Sequence, residues 1–243
     1  MSLNAIHGKG TFVVLNTLDA TDYLQKVDTP YTSDAPDTTT FGHDSRTHIP
    51  GLKDGSLSAE GFYDGLSGAV DEVLNNILAG QSPTNLNHLV WFPGGNTAGT
   101  GYGMEMIQTA YNVQGTKDDA TKISLAGISN VGRERLKMVH PLKVEVATAT
   151  GDTIDLLAAG TGGCAGYLHI TGVTGSGSAI VKIEQSTNGS AWEATALLTF
   201  TTATAATHER KVPTGTTVMR YVRSVVTISG FTDVNCLVAI CKK

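Results

Sequence analysis

The sequence predicts a mainly β protein: a β-sandwich or barrel module with one flanking α-helix, then a small C-terminal antiparallel β-sandwich. Three observations carry this expectation. Thr (33) and Gly (28) make up a quarter of the 243 residues, a mix that suits strands and turns better than helices. Short apolar or alternating runs recur between Gly, Pro and Asn punctuation. One stretch alone carries a convincing 3.6-residue apolar period.

In chain order, 11–15 is a short apolar run and 23–31 a mixed, edge-type strand. Residues 34–50 form a long polar loop, of a length uncommon unless it binds something. Leu57, Ala59 and Gly61 alternate with Ser56, Ser58 and Glu60, a half-buried strand that starts after Pro50-Gly51. Leu66, Ala69, Val70, Val73, Leu74, Ile77 and Leu78 form the stripe of an amphipathic helix, with Asp64 as N-cap, Gly80 as C′ residue and Pro83 beyond. Strands follow at 87–92, 104–113 and 121–128, with a flexible connection at 93–103 and a turn at 115–119. Residues 148–163 have the composition of a linker, which divides the chain into modules 1–150 and 151–243. The second module carries six candidate strands, at 167–173, 179–185, 197–202, 209–212, 218–228 and 234–240. Its Asn188-Gly189 dipeptide signals a type I′ hairpin.

Net charge is −5, and it is unevenly spread: residues 1–140 carry −6 and residues 141–243 carry +1. An acidic first half repels phosphate and argues against stable nucleic-acid binding. No run of 18 apolar residues occurs, and the first residues lack a charged-then-apolar signal layout, so folding in a cytoplasm is expected. Cys236 and Cys241 lie an odd number apart and so on opposite strand faces; with Cys164 they read as reduced thiols.

The most informative segment is 37–64, DTTTFGHDSRTHIPGLKDGSLSAEGFYD. Asp37 to Gly42, Arg46-Thr47, Ile49 to Asp54 and Gly61 to Asp64 resemble a segment of major tail tube proteins of long-tailed, siphovirus-type phages. The resemblance continues through Pro93-Gly94, Gly101-Tyr102-Gly103 and Gly132, Glu134 or Arg133, Arg135, His140, Pro141 and Leu142. That last segment departs from the pattern, because Leu136 stands where the family usually has Gly. Residues 186–192 and 219–223 resemble the C-terminal domain that many long-tailed phages append to the tube module.

The resemblance implies a non-enzymatic structural subunit that closes hexameric rings, which stack into a DNA-conducting tube. Its implied partners are further copies of itself and the tape measure, tail tip and tail terminator proteins. DNA passes through the lumen without stable binding, no membrane or cofactor is involved, and the place is the virion tail, assembled in the host cytoplasm. The long loop, with Asp34, Asp37, Thr39, Phe41, Asp44, Arg46 and Pro50, is the candidate contact between rings. Residues 151–243 are expected on the outside of the tube. The alternative is a capsid decoration or fibre/adhesion protein whose C-terminal domain binds carbohydrate, with Trp192 as the candidate sugar contact.

Other patterns point away from chemistry. His43, Asp44 and Ser45 are consecutive and cannot converge on one reacting atom. Residues 94–103 are Gly-rich but lack a Gly-Lys-Ser/Thr ending. The seven histidines show no H-E-x-x-H spacing. The acidic residues between 19 and 44 lack calcium-loop spacing.

Overall fold

The computed structural model describes residues 8–42, 44–96, 99–213 and 215–243. In chain order the described elements are β1 (Phe12–Leu15), β2 (Leu18–Asp19), β3 (Leu24–Asp28), β4 (Tyr31–Ser33), β5 (Lys53–Phe62), α1 (Val70–Gly80), β6 (Asn87–Phe92), β7 (Gly101–Thr116) and β8 (Asp119–Ser129). They continue as β9 (Glu134–Glu145), β10 (Ala149–Thr150), β11 (Ile154–Asp155), β12 (Cys164–Ser186), β13 (Leu198–Thr199), β14 (Thr207–Lys211) and β15 (Tyr221–Lys242). Every pairing described between named strands is antiparallel. The mainly β class with one flanking helix is therefore the observed one.

By packing, the chain divides into two compact units. One holds Met1–Asp22, His88–Gly103 and Glu134–Lys243; the other holds Tyr23–Asn87 and Met104–Arg133. This division does not follow the linker composition near residue 150. In the first unit β9 pairs with β15, and Phe12, Val14, Val90, Phe92, Leu136 and Met138 share one apolar cluster with Ala165, Tyr167, Leu237 and Ala239. Composition reports local backbone preference, whereas the core is closed by long-range strand pairing.

The first unit is built on β12 and β15, which run against each other from Cys164↔Lys242 to Ser186↔Tyr221. Sequence reasoning expects four strands here; two long ones form. The Gly-rich stretch at 172–178, between two of the expected strands, is the irregular middle of β12, with register shifts at Ile170/Gly172, Thr174/Gly175 and Gly175/Ser178. Glycine is required there: a Cβ on Gly177 would lie 2.2 Å from the Ser229 carbonyl oxygen, and Gly175 has φ +89°. One cluster packs Leu168, Ile170, Val181 and Ile183 against Val222, Val226, Val238 and Ile240. Residues of the same strands that point the other way, Tyr167, Leu237 and Ala239, fill the second cluster, so these runs are buried on both faces. The segment expected as a strand at 197–202 pairs only over Leu198–Thr199.

Asn188-Gly189 is not a type I′ turn, which needs positive φ at both central residues. Gly189 has φ +75°, but Asn188 is not among the positive-φ residues. Asn188 Oδ1 instead accepts the N–H groups of Ser190 and Ala191, each at 2.9 Å, and the Ser186 hydroxyl at 3.1 Å. The short side chain folds its own turn.

In the second unit β5 lies between β3 and β4 on one side and β8 on the other, and β8 pairs on with β7. The expected strand at 23–31 is split into β3 and β4. Along β5, Gly55, Leu57, Ala59 and Gly61 are buried, as the alternation predicts. Gly61 is fixed by sterics, since a Cβ there would lie 2.1 Å from the Tyr23 carbonyl oxygen. Helix α1 starts later than the apolar stripe suggests. Its N-cap position is Ala69, without a side-chain cap; Gly80 is its last residue, and Leu66 is exposed. Gly68, at φ +78°, ends any earlier helical run. The Asp64 carboxylate accepts the Leu66 N–H at 3.0 Å and caps nothing helical; its backbone carbonyl takes the first-turn Asp71 N–H at 3.3 Å. The Glu72 carboxylate takes over, accepting from Gly68 N at 2.8 Å and the Ser67 hydroxyl at 3.1 Å. Val70, Leu74 and Ile77 are buried, and each contributes on the order of 1.5–3 kcal/mol by leaving water.

Candidate assembly surface

The segment that resembles tail tube proteins forms an arm in the second unit. Asp34 N donates to Leu52 O at 2.9 Å, Gly51 N to Asp34 O at 2.7 Å, Ile49 N to Pro36 O at 3.2 Å and Thr38 N to Thr47 O at 2.8 Å. An isolated Asp37↔His48 bridge joins the same two legs. The loop is thus not formless: main-chain bonds tie its legs together from Asp34 out to Thr47. Asp37 accepts both the hydroxyl and the N–H of Thr39, which hold its carboxyl below the usual range. Thr39 Oγ1 in turn accepts the Thr47 N–H at 3.0 Å. Thr38 and Thr39 are explained by these crossings, because short hydroxyl side chains supply the bonds a regular ladder would.

Six of the seven loop residues singled out by sequence, Asp34, Asp37, Thr39, Asp44, Arg46 and Pro50, are exposed, and the seventh, Phe41, is 113% exposed. Leu52 is 83% and Ile49 53% exposed. Gly51, beside Pro50, packs tightly at the base, where a Cβ would lie 2.8 Å from Asp34 Cβ. His43 lies outside the described residues. The arm therefore presents a polar, internally bonded frame with large apolar side chains facing water. Apolar side chains exposed in this way are available to a partner.

The second segment of the resemblance is structural. Glu134 is buried and receives Arg210 through two bonds, Nε at 2.9 Å and Nη2 at 2.8 Å, plus the Tyr167 hydroxyl at 2.6 Å. Burial pushes its carboxyl up, but the Arg210 and Tyr167 bonds outweigh this and hold it below the usual range. His140, fully buried, lies 3.0 Å from Glu145 Oε1. Glu134 makes the Arg210 pair, while the neighbouring Arg133 donates to the Thr29 carbonyl at 2.9 Å. Arg210 could not be found from sequence, since it lies 76 residues from Glu134.

Trp192 is half-buried and is not a core residue. The Arg223 guanidinium lies 4.1 Å from its ring centroid and is held at 2.7 Å by Glu184. Among the described residues no helix is long and apolar enough to cross a membrane, and no group of three or more His, Cys, Asp or Glu is placed to hold a metal ion.

No family model and no curated protein matches the chain. Among solved structures it is similar to a chain of the virion of a native gene transfer agent particle, at TM-score 0.42 and 15% identity, over 54% of this chain and 98% of that one. A chain of the sheath–tube complex of an extracellular contractile injection system gives TM-score 0.42 and 11% identity, over 53% of this chain and 90% of that one. The SPP1 Dit protein, a hub of a phage adsorption apparatus, gives TM-score 0.37 and 11% identity, over 96% of this chain and 98% of that one. At such scores and identities, function has to be argued from the chain's own residues.

Proposed function

We propose that this chain is a structural subunit of a phage tail tube, closing hexameric rings that stack into a DNA-conducting tube. The observation that carries the reading is the arm between Asp34 and Leu52: a main-chain-bonded projection that holds Phe41, Ile49 and Leu52 in water. An apolar projection of this kind is stabilised when a neighbouring copy covers it, and ring-on-ring stacking is an open repeat that supplies one. Asp34, Asp37, Thr39, Asp44, Arg46 and Pro50 frame that contact and Phe41 is its apolar tip. The acidic first half keeps the lumen from binding phosphate, and segments of 151–243 face outward. The tape measure, tail tip and tail terminator proteins are its partners in a virion tail assembled in the host cytoplasm. Electron microscopy of the concentrated protein tests this. Stacked rings of six are expected, and a protein that stays monomeric would overturn the reading.

A second reading, adhesion by a decoration or fibre protein, is favoured by one observation: the half-buried Trp192 ring is stiffened from one side by Arg223 and Glu184. Glycan binding that is lost in Trp192→Ala would support it.

A further inference from the structure

The Trp91 and Tyr102 rings, on neighbouring strands β6 and β7, lie 5.3 Å apart, and both are half-buried. Tyr102 stands opposite Arg135 in the β7–β9 register, so the two side chains leave the sheet on the same face. Lys137, two residues along β9, shares that face and donates to Thr100 Oγ1 at 2.7 Å. Glu134 does not neutralise these cations, because it lies on the opposite face and is taken by Arg210. Arg135 is exposed and forms no ion pair with a described residue. Two adjoining rings and two cations thus form one row, a surface suited to an aromatic side chain flanked by carboxylates. The other aromatic–cation contacts of this unit are already neutralised: Glu184 holds Arg223 beside Trp192, and Asp155 holds Arg220 beside Tyr221.

The arm of the second unit has the complementary chemistry. That unit carries 6 Lys and Arg against 12 Asp and Glu, whereas the first carries 11 against 10. Along the arm Asp34, Asp37 and Asp44 outnumber the single base Arg46, and Asp34 and Asp44 form no ion pair with a described residue. Phe41 stands between Asp37 and Asp44 in the chain, with its ring wholly in water. The exposed rings Tyr31, Phe62 and Tyr63 belong to the same acidic unit as the arm and offer it no opposite charge. We propose that the arm docks on the Trp91–Tyr102–Arg135–Lys137 row of a neighbouring copy, with Phe41 on the rings and Asp44 at Arg135. Unlike surfaces meet, so the contact is head-to-tail and can repeat from copy to copy. The inference rests on the self-assembling reading above and names the surface that receives the arm.

Charge exchange tests the pairing itself. Asp44→Arg and Arg135→Glu should each weaken association, followed by sedimentation, at least about tenfold, with the melting temperature of the subunit unchanged. Mixing the two variants should restore association, because the unaltered arm of one meets the unaltered row of the other. A Trp192→Phe chain leaves Trp91 as its only tryptophan, and its emission should move to shorter wavelength as copies associate. If the wild type assembles while either charge variant assembles equally well, mixing restores nothing, or the Trp91 emission stays fixed, the pairing is wrong and the tube reading stands. Should Arg135→Glu melt early, Lys137→Glu takes its place in the same mixing, with the same outcomes deciding. An oligonucleotide that binds the wild type and not Arg135→Glu would make the row a nucleic-acid surface and also overturns the pairing. A wild type that never associates overturns both.

Discussion

His88 and His208 face each other with their Nδ1 atoms 2.8 Å apart, a contact that requires one ring to donate and the other to accept. The accepting ring must therefore be neutral, and burial disfavours charge on its partner as well. Next to them, His169 is fully buried: its Nδ1 lies 2.7 Å from the Asn16 carbonyl, and its Nε2 has no hydrogen-bond partner among the described residues. Burial, followed for His88 by the charges of His208, His169 and Arg210, pushes these rings down to about 3 for His88 and His169 and about 4 for His208. Tyr167 meets His88 edge-on at 6.3 Å, and no carboxylate is among the causes that set these values.

The sign of the pH effect follows. In the unfolded chain these rings titrate near 6.5, so their contribution to stability is fully present above that value and is lost as pH falls towards about 4. Thermal melts at pH 7.5, 6.5, 5.5 and 5.0 should show steady loss, each proton taken up weighing at most about 1.4 kcal/mol per pH unit. The carboxylates contribute mainly below this window, which isolates the histidines. His208→Gln should flatten the slope, whereas a wild-type midpoint constant from pH 7.5 to 5.0 would contradict the assignment.

The Glu134–Arg210 pair is nearly closed off from water, with side-chain exposures of 9% and 7%. Glu134→Gln leaves a buried guanidinium short of a counter-charge and should cost about 3–5 kcal/mol. Glu134→Leu combined with Arg210→Met should cost clearly less, because no charge is stranded. Denaturant melts of the single and double variants measure the difference, and additive losses would show that the pair is not coupled.

Cutting the chain at Thr150 tests the shared core. Composition alone suggests that residues 1–150 fold by themselves, but β9 would lose β15, and Phe12, Val14, Phe92, Leu136 and Met138 would lose the side chains that cover them. The fragment should be insoluble or bind a hydrophobic dye and show no cooperative melt. A soluble fragment with a sharp transition would mean that the sequence boundary is also a folding boundary.

Deleting residues 38–45 removes the outer part of the arm and leaves the Asp34–Leu52 and Gly51–Asp34 bonds at its base. The subunit should keep its stability within about 0.5 kcal/mol, as surface loops tolerate shortening. Ring-on-ring growth, followed by microscopy, should fail. Normal tubes would remove the arm from the contact.

Sequence by itself determined the local layer of this protein. The alternation at 56–61, the run at 87–92 and the stripe ending at Gly80 became β5, β6 and α1 because side-chain period and backbone preference act over a few residues. The arm's residues were also legible, since Asp37, Thr39 and Gly51 meet partners within the same segment. Only the tertiary structure decided the rest. The Gly-rich middle of β12 separates two expected strands until Ser229 and Gly230 are placed against it. Arg210 finds Glu134, His208 finds His88, and Lys242 clamps the backbone around Leu157, across separations of 76, 120 and more than 80 residues. Local propensity carries no record of such distances; they are set when β12 and β15 pair along their length and bring remote segments to one core.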